Sequence, residues 1–248
     1  MLESLFHYLA TPAPWAIRRR GHVGASVALL ARSRRCRRAW APHLAAARRA
    51  ALAAAEGLPR RRTAMVLGSG LLDDVPLAEL AAGFERVLLV DAVHPWPARL
   101  AAGQHANVAR VTADLVVEPL DALLREPGLD LVVSANLLSQ LPILPVARTE
   151  GRGADADPLG RRIVVDHLQA LAAAPCLTCL VADRRQREED RTGRVYDEID
   201  LLHDVVLPPS RLACDWELAP FGEVARVRRL VHRVQAYLDW RRDGAAAR

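Results

Sequence analysis

Four short apolar runs in this chain each end on residues that could do chemistry. The run 63–67 is followed by Gly68, Ser69 and Gly70, where missing side chains let a backbone approach a ligand closely. The run 86–90 is followed by Asp91, 21 residues after Gly70. A carboxylate at that point can accept hydrogen bonds from both hydroxyls of a sugar. The run 107–113 leads to Asp114, which could receive an exocyclic amino hydrogen, with Leu115 to pack on a ring. The run 129–133 leads to the small residues Ser134 and Ala135, then to Asn136 and Gln140, polar groups in an otherwise apolar stretch.

Any one of these signals is weak. A lone Gly-Ser-Gly is common, Asp91 could cap the helix that follows, and Asp114 could be a solvated loop acid. Their joint placement is informative, because each stands at the carboxyl end of a strand in the order expected around one crevice. His94, three residues past Asp91, has a ring whose ordinary pKa suits a general base, although it could equally be a helix-start residue. His94, Asn136 and Gln140 are therefore the candidate catalytic or acceptor-orienting groups.

The elements that must position them follow from apolar spacing. Residues 1–62 read as helical: a short amphipathic piece before Pro12 and Pro14, then helices over 15–35 and 40–56, with Pro42 near a helix start. From 63 to 145, continuous apolar strands alternate with helices, which indicates a parallel sheet covered on both faces. Asp73 or Asp74 is the expected cap of the first crossover helix. A polar loop over 147–158, a helix starting near Asp157 and a fifth strand over 176–183 come next. The charged stretch 184–202 reads as a surface loop or short helix. Two final strands form a hairpin with Pro220, Phe221 and Gly222 near its turn. The expectation is a doubly wound, Rossmann-like seven-stranded α/β sheet with a C-terminal antiparallel hairpin, divided as a helical segment 1–62 and an α/β domain 63–248.

Composition narrows the function classes. The chain has 248 residues, half of them hydrophobic, but only 4% aromatic, so Ala, Leu and Val must build the core. No run approaches the ~20 apolar residues of a membrane helix, and the N-terminus lacks a secretory pattern, which makes the cytoplasm the expected location. All 34 basic residues are Arg, a bias that weakens any inference from the net charge of +5 to nucleic acid. The cluster Arg32, Arg34, Arg35, Arg37 and Arg38 could meet an anionic substrate or partner, but reads more simply as a solvated helix face in so Arg-rich a chain. Cys176 and Cys179 make a C-x-x-C inside a strand, where residues three apart point to opposite faces, so no metal is expected. His167 reads as packed or exposed, and the five Trp residues as core or lid packing.

Taken together, Gly68-Ser69-Gly70, Asp91, Asp114-Leu115 and Ser134-Ala135-Asn136 resemble the crevice of class I S-adenosylmethionine-dependent methyltransferases over roughly residues 60–240. The resemblance implies S-adenosylmethionine as cofactor, with Gly68, Ser69, Gly70, Asp91, Ala92, Asp114, Leu115, Ser134, Ala135 and Asn136 holding it. It also implies that the extra N-terminal helices cover the crevice, and it leaves the methyl acceptor and the oligomeric state open. Two departures stand out: Val66 occupies the place of an acid two residues before the first glycine, and Leu72 that of a third glycine. Asp73 and Asp74 follow and could approach a methionine amino group. Two other readings stay open, a methyltransferase-like binding or accessory protein without catalysis, and a nicotinamide-dependent oxidoreductase.

Overall fold

Parallel strands β1 (Thr63–Leu67), β2 (Arg86–Asp91), β3 (Val108–Thr112), β4 (Leu129–Ala135) and the first part of β5 (Leu177–Asp190) form the centre of the sheet. The computed structural model describes residues 2–150 and 157–245. The sheet order is β3-β2-β1-β4-β5-β8-β7, with β7 (Leu212–Ala219) and β8 (Arg228–Tyr237) antiparallel to their neighbours. Gly222 takes a φ of 93° in the connection between these two strands, as the turn residues suggest. The strand order reverses between β1 and β4, and in open α/β sheets a ligand crevice forms outside the carboxyl ends of strands at that point.

Side chains alternate along the central strands and feed two apolar cores. Val66, Leu89, Val133 and Val181 pack under α3 (His22–Glu56), α4 (Leu77–Gly83) and α5 (Trp96–Ala102). Met65, Leu67, Leu88 and Val132 pack against α6 (Leu120–Leu123) and α8 (Asp157–Ala173) on the other face, joined by Trp240 of α9 (Trp240–Ala245). A period of two with both faces covered is the signature of buried parallel strands. Cys176, just before β5, and Cys179 within it are buried in different cores, on opposite faces of the sheet. Among the described residues no group of three or more His, Cys, Asp or Glu is arranged to hold a metal ion. No described helix is long and apolar enough to cross a membrane.

Several expectations are corrected. The N-terminal part is α1 (Leu2–Ala10), α2 (Trp15–Arg19) and one continuous helix α3 of 35 residues, with Pro42 inside it. A mid-helix proline costs about 3 kcal/mol. Here Cys36, Trp40, His43, Ala47, Ala50 and Ala51 bury a stripe of α3 on the sheet around that proline, which holds the helix through it. Neither Asp73 nor Asp74 caps α4; its N-cap is Pro76, with no side-chain cap. Residues 147–150 close α7 (Ile143–Glu150) rather than open a loop, and 151–156 of that expected loop lie outside the described residues, as do 246–248 of the tail. Trp40, Trp216 and Trp240 are buried, but Trp15 and Trp96 are exposed.

The largest correction concerns the charged stretch 184–202. β5 continues to Asp190, Gly193 turns at a φ of 83°, and β6 (Val195–Asp200) returns antiparallel, so the sheet has eight strands, not seven. The charges are matched across strands: Arg228 with Glu188, Arg229 with Glu189, Arg187 with Asp215 and Arg185 with Glu198. Opposite-charge cross-strand pairs stabilise an exposed ladder, and composition alone makes such a ladder look like a loop. Because β8 occupies one edge of β5, β6 must lie on the other, in line with β4 beyond its carboxyl end. β6 therefore rims the crevice.

Candidate functional site

The loop after β1 is held by backbone conformations that side chains disfavour. Gly68 has a φ of 73° and Gly70 one of 37°, and the amides of Gly68 and Ser69 both donate to the Val90 carbonyl at 2.9 and 3.3 Å. A Cβ on Gly68 would lie 2.8 Å from the Leu137 Cβ, so β1 and the segment after β4 meet through this glycine. Leu72, at the place of the expected third glycine, still takes a left-handed φ of 64°. Such a conformation costs a non-glycine residue about 1–2 kcal/mol.

Asp91 is built into this loop. Its Oδ2 accepts the Gly70 amide at 2.8 Å and its Oδ1 accepts the Val93 amide at 3.0 Å. Each carboxylate oxygen has two lone pairs, so each keeps one for a further donor. Burial pushes the Asp91 carboxyl above its usual range, against the pull of those two amides. His94 is buried, and its Nε2–H donates to the Val111 carbonyl of β3 at 3.1 Å. Burial holds its pKa below the ordinary histidine value. Any proton transfer by this ring falls to Nδ1.

Asp114 carries a set of partners that its sequence position did not disclose. Its Oδ2 accepts the Arg20 guanidinium and the His22 Nε2, both at 3.0 Å, and its Oδ1 accepts the Val116 amide at 3.2 Å. Burial works to raise this carboxyl; His22, Val116 and Arg20 more than offset it and leave it below the usual range. Arg20 and His22 flank Gly21, whose φ of 90° makes the elbow between α2 and α3. Beside that elbow, Ile17, Val23 and Val27 pack on Val93, with Ala92 half-buried against them. The N-terminal helices thus lie across the ends of β2 and β3. A basic–Gly–His triplet was the available signal, lost among many Arg residues. Leu115 is half-buried against the second core.

The residues after β4 divide between the two faces. Ser134 points away from the other candidates: its hydroxyl meets the Nε2 of His167 on α8 at 3.0 Å. Ala135 is buried in the core under α3. Asn136 is clamped at every group but one. Its amide donates to the Val181 carbonyl at 3.0 Å, its carbonyl accepts the Gln140 side chain at 2.6 Å, and its Nδ2 donates to Asp74 at 2.6 Å. Its Oδ1 is buried without a partner, and so is the hydroxyl of Ser69. Asn136 also has a φ of 46°, a strained conformation of the kind that collects at functional sites. The structure therefore brings together Gly68, Gly70, Asp74, Asp91, Asn136 and Gln140, sets Asp114 against the N-terminal elbow, and turns Ser134 elsewhere.

Beyond Asn136 a buried polar chain continues. Ser139 donates to Asp183 Oδ1 at 2.5 Å, Asp183 Oδ2 meets His232 Nδ1 at 2.7 Å, and His232 Nε2 meets Gln186 Oε1 at 3.0 Å. Trp216 joins His232 edge-on, and His43 of α3 stacks on Trp216 with ring centres 4.4 Å apart. The pairings of His232 with Asp183 and of His43 with β7 cross 49 residues or more of sequence, so no local signal discloses them.

Two histidines in this region set an acid limit on the fold. Burial pushes His43 and His167 down to about 4. Below about pH 6.5 the unfolded chain takes up protons that the folded rings refuse, so stability falls from there until about pH 4, by up to about 3 kcal/mol for each ring. The melting temperature is expected to drop steadily between pH 7 and pH 5, and His167→Gln should flatten that slope. A slope in His167→Gln identical to that of wild type would refute the neutral, buried state of that ring.

No family model matches the chain, and no curated protein does. Solved structures with a similar chain path include the N-methyltransferase NodS from Bradyrhizobium japonicum WM9 in complex with S-adenosylhomocysteine, at 13% identity and a TM-score of 0.42 over 78% of this chain and 85% of that one. Another is the Burkholderia thailandensis 1,6-didemethyltoxoflavin-N1-methyltransferase, at 17% identity and a TM-score of 0.43 over 90% and 92% of the two chains. A third is an S-adenosylmethionine-dependent methyltransferase from Leishmania major, at 13% identity and a TM-score of 0.40 over 94% and 82%. Identities this low transfer neither a ligand nor a reaction.

Proposed function

We propose that this chain is an S-adenosylmethionine-dependent methyltransferase whose cofactor lies in the crevice at the ends of β1, β2 and β4. The observation that carries the reading is Asp91: a recessed carboxylate fixed by the Gly70 and Val93 amides, each oxygen retaining a lone pair for one hydroxyl of a ribose. The residues present fit the cofactor. Gly68 leaves a cradle that a side chain would fill, and the orphaned Ser69 hydroxyl and Asn136 Oδ1 stand within that same loop pair.

A dinucleotide fits less well. Its pyrophosphate needs a helix N-terminus of free amides directly after the glycine loop. Here the helix begins only at Leu77, is seven residues long, and is preceded by the carboxylates of Asp73 and Asp74, which would repel an anion.

When bound, S-adenosylmethionine supplies an electrophilic methyl group on a cationic sulfonium. The chain's part is then to hold the donor and present an acceptor in line, which is positioning rather than covalent chemistry. Asp91 fixes the ribose, and Gly68 admits the ligand to the backbone. The N-terminal elbow, tied by Arg20 and His22 to Asp114, keeps water from the adenosyl side. Asn136 and Gln140 do not titrate, so their contribution is orientation of the segment facing the acceptor.

Isothermal titration with S-adenosylmethionine, S-adenosylhomocysteine and NAD is the test. Binding of the first two without the third is expected. Binding of NAD alone, or of none of the three to folded protein, would overturn the reading.

A further inference from the structure

An amphipathic helix ordinarily turns its apolar stripe toward the protein. Helix α1 does not. Leu5, Phe6 and Leu9 recur at helical spacing on one side of it and are 55%, 65% and 69% exposed, although α1 rests on α3. Trp15, which opens α2 after Pro12 and Pro14, is 71% exposed. The chain holds only five Trp, three Tyr and three Phe, yet Phe6, Tyr8 and Trp15 all reach solvent near its start. Large apolar groups gathered at a surface mark a place where something binds.

The same segment is strongly cationic. Residues 1–50 carry ten of the 34 Arg and a single acid, Glu3, so the rest of the chain is net acidic although the whole is +5. Some of these Arg are engaged within the fold: Arg20 on Asp114, Arg35 on Glu223 and Arg48 on the Asp73 carbonyl. Arg19, Arg37 and Arg38 are exposed. Arg19 lies over the Trp15 ring, 5.2 Å from its centre, and Arg18 ties α2 to α1 by donating to the Tyr8 carbonyl at 3.1 Å.

The occupant of this face must accept alkyl, aromatic and cationic groups together. A nucleic acid would meet the Arg side chains but leave Leu5, Phe6 and Leu9 in water. A second copy related by a two-fold axis would set Arg against Arg. An anionic bilayer surface takes all three: its acyl boundary admits Leu and Phe, its interface suits Trp, and its phosphates meet guanidinium groups.

We infer that α1 and α2 dock the protein on an anionic lipid surface, with Leu5, Phe6, Leu9 and Trp15 entering the interface, Arg19 on the headgroups and the wider Arg-rich segment drawing the surface in. Such docking is peripheral and independent of what the crevice binds. Ile17 and Val23 fix α2 and the elbow on Val93, just beyond β2, so the end of the sheet that carries the crevice is the end brought toward the lipid.

Co-flotation of the full chain with vesicles is the test. Vesicles of equal parts phosphatidylglycerol and phosphatidylcholine are expected to bind at least about tenfold more tightly than phosphatidylcholine alone, and raising salt from about 0.1 M to about 1 M should weaken that binding by about tenfold or more. The double variant Phe6→Ser, Leu9→Ser should lose about 10- to 100-fold in affinity for the anionic vesicles. Both positions are exposed, so its melting temperature should match that of wild type. Should this variant fail to fold, Trp15→Ser combined with Arg19→Gln, both exposed on α2, is expected to show a loss of at least about tenfold. Absence of wild-type flotation with the anionic vesicles overturns the docking, whether the face then proves to hold RNA, to pair with a second copy or to do neither. Undiminished flotation of the folded double variant also overturns it, because the apolar stripe then plays no part. Equal binding to the two kinds of vesicle overturns it as well, since charge would then not select the surface.

Discussion

Gly68→Ala is expected to lower affinity for S-adenosylhomocysteine by more than about 100-fold and to destabilise the protein by about 2–4 kcal/mol. Two independent costs meet at this position. The backbone φ of 73° is one that an L side chain rarely adopts, and the new Cβ would sit 2.8 Å from the Leu137 Cβ, 3.1 Å from its Cδ1 and 3.3 Å from the Ala135 carbonyl. The Leu137 Cβ and the Ala135 carbonyl cannot swing aside, because β4 is pinned between β1 and β5 and Asn136 is bonded to Val181. Relief must come from separating the glycine loop from the segment after β4, which opens the crevice where the ligand is proposed to lie. Gly70 provides the control: its φ is 37°, but a Cβ there meets nothing nearer than 3.7 Å, so Gly70→Ala should cost less in both measures. Chemical denaturation read alongside ligand titration separates the two effects. Wild-type affinity in Gly68→Ala would remove the loop from the site.

These contrasts explain why some of the molecule could be read in advance. The parallel centre of the sheet was legible because its strands are short, largely apolar runs punctuated by Gly68, Asp91, Asp114 and Asn136, and those signals are local. The hairpin 184–200 was not. Its strands are joined by pairs such as Arg185 with Glu198, and its first strand to β8 by Arg229 with Glu189, whose members lie 40 residues apart, so none of these charges signals a strand in its own neighbourhood. Helix α3 failed for the opposite reason. A local rule, that proline interrupts helices, was overridden by burial of Trp40 and His43 on the sheet. The same division runs through the site. Asp91 could be placed by spacing because its partners are Gly70 and Val93. Asp114 could not be understood without Arg20 and His22, more than 90 residues earlier. Asp74 looked like a helix cap only because nothing in the sequence ties it to Asn136, 62 residues on.

Asp91→Ala is the second large effect, and its pattern should differ from that of Gly68→Ala. Affinity for S-adenosylmethionine and S-adenosylhomocysteine is expected to fall by more than about 100-fold, because the two charge-assisted hydrogen bonds proposed between Asp91 and the ribose would be lost at once. Stability should change much less. The substitution strands the Gly70 and Val93 amides, but it also removes a carboxylate whose burial is unfavourable, and the two terms oppose each other. The raised carboxyl fixes the sign of the pH dependence. A folded-state pKa above the unfolded one adds stability at low pH that is lost as pH rises through the raised value, so free wild type should lose ground to Asp91→Ala as pH increases through that window. Ligand binding runs the other way, since hydroxyl donors favour the ionised carboxylate and affinity should decline as pH falls through the same window. Calorimetric titrations and melting curves from pH 4 to 8 on both proteins would resolve these opposed slopes. Parallel slopes, or undiminished binding in Asp91→Ala, would mean that this carboxylate braces the glycine loop without touching a ligand.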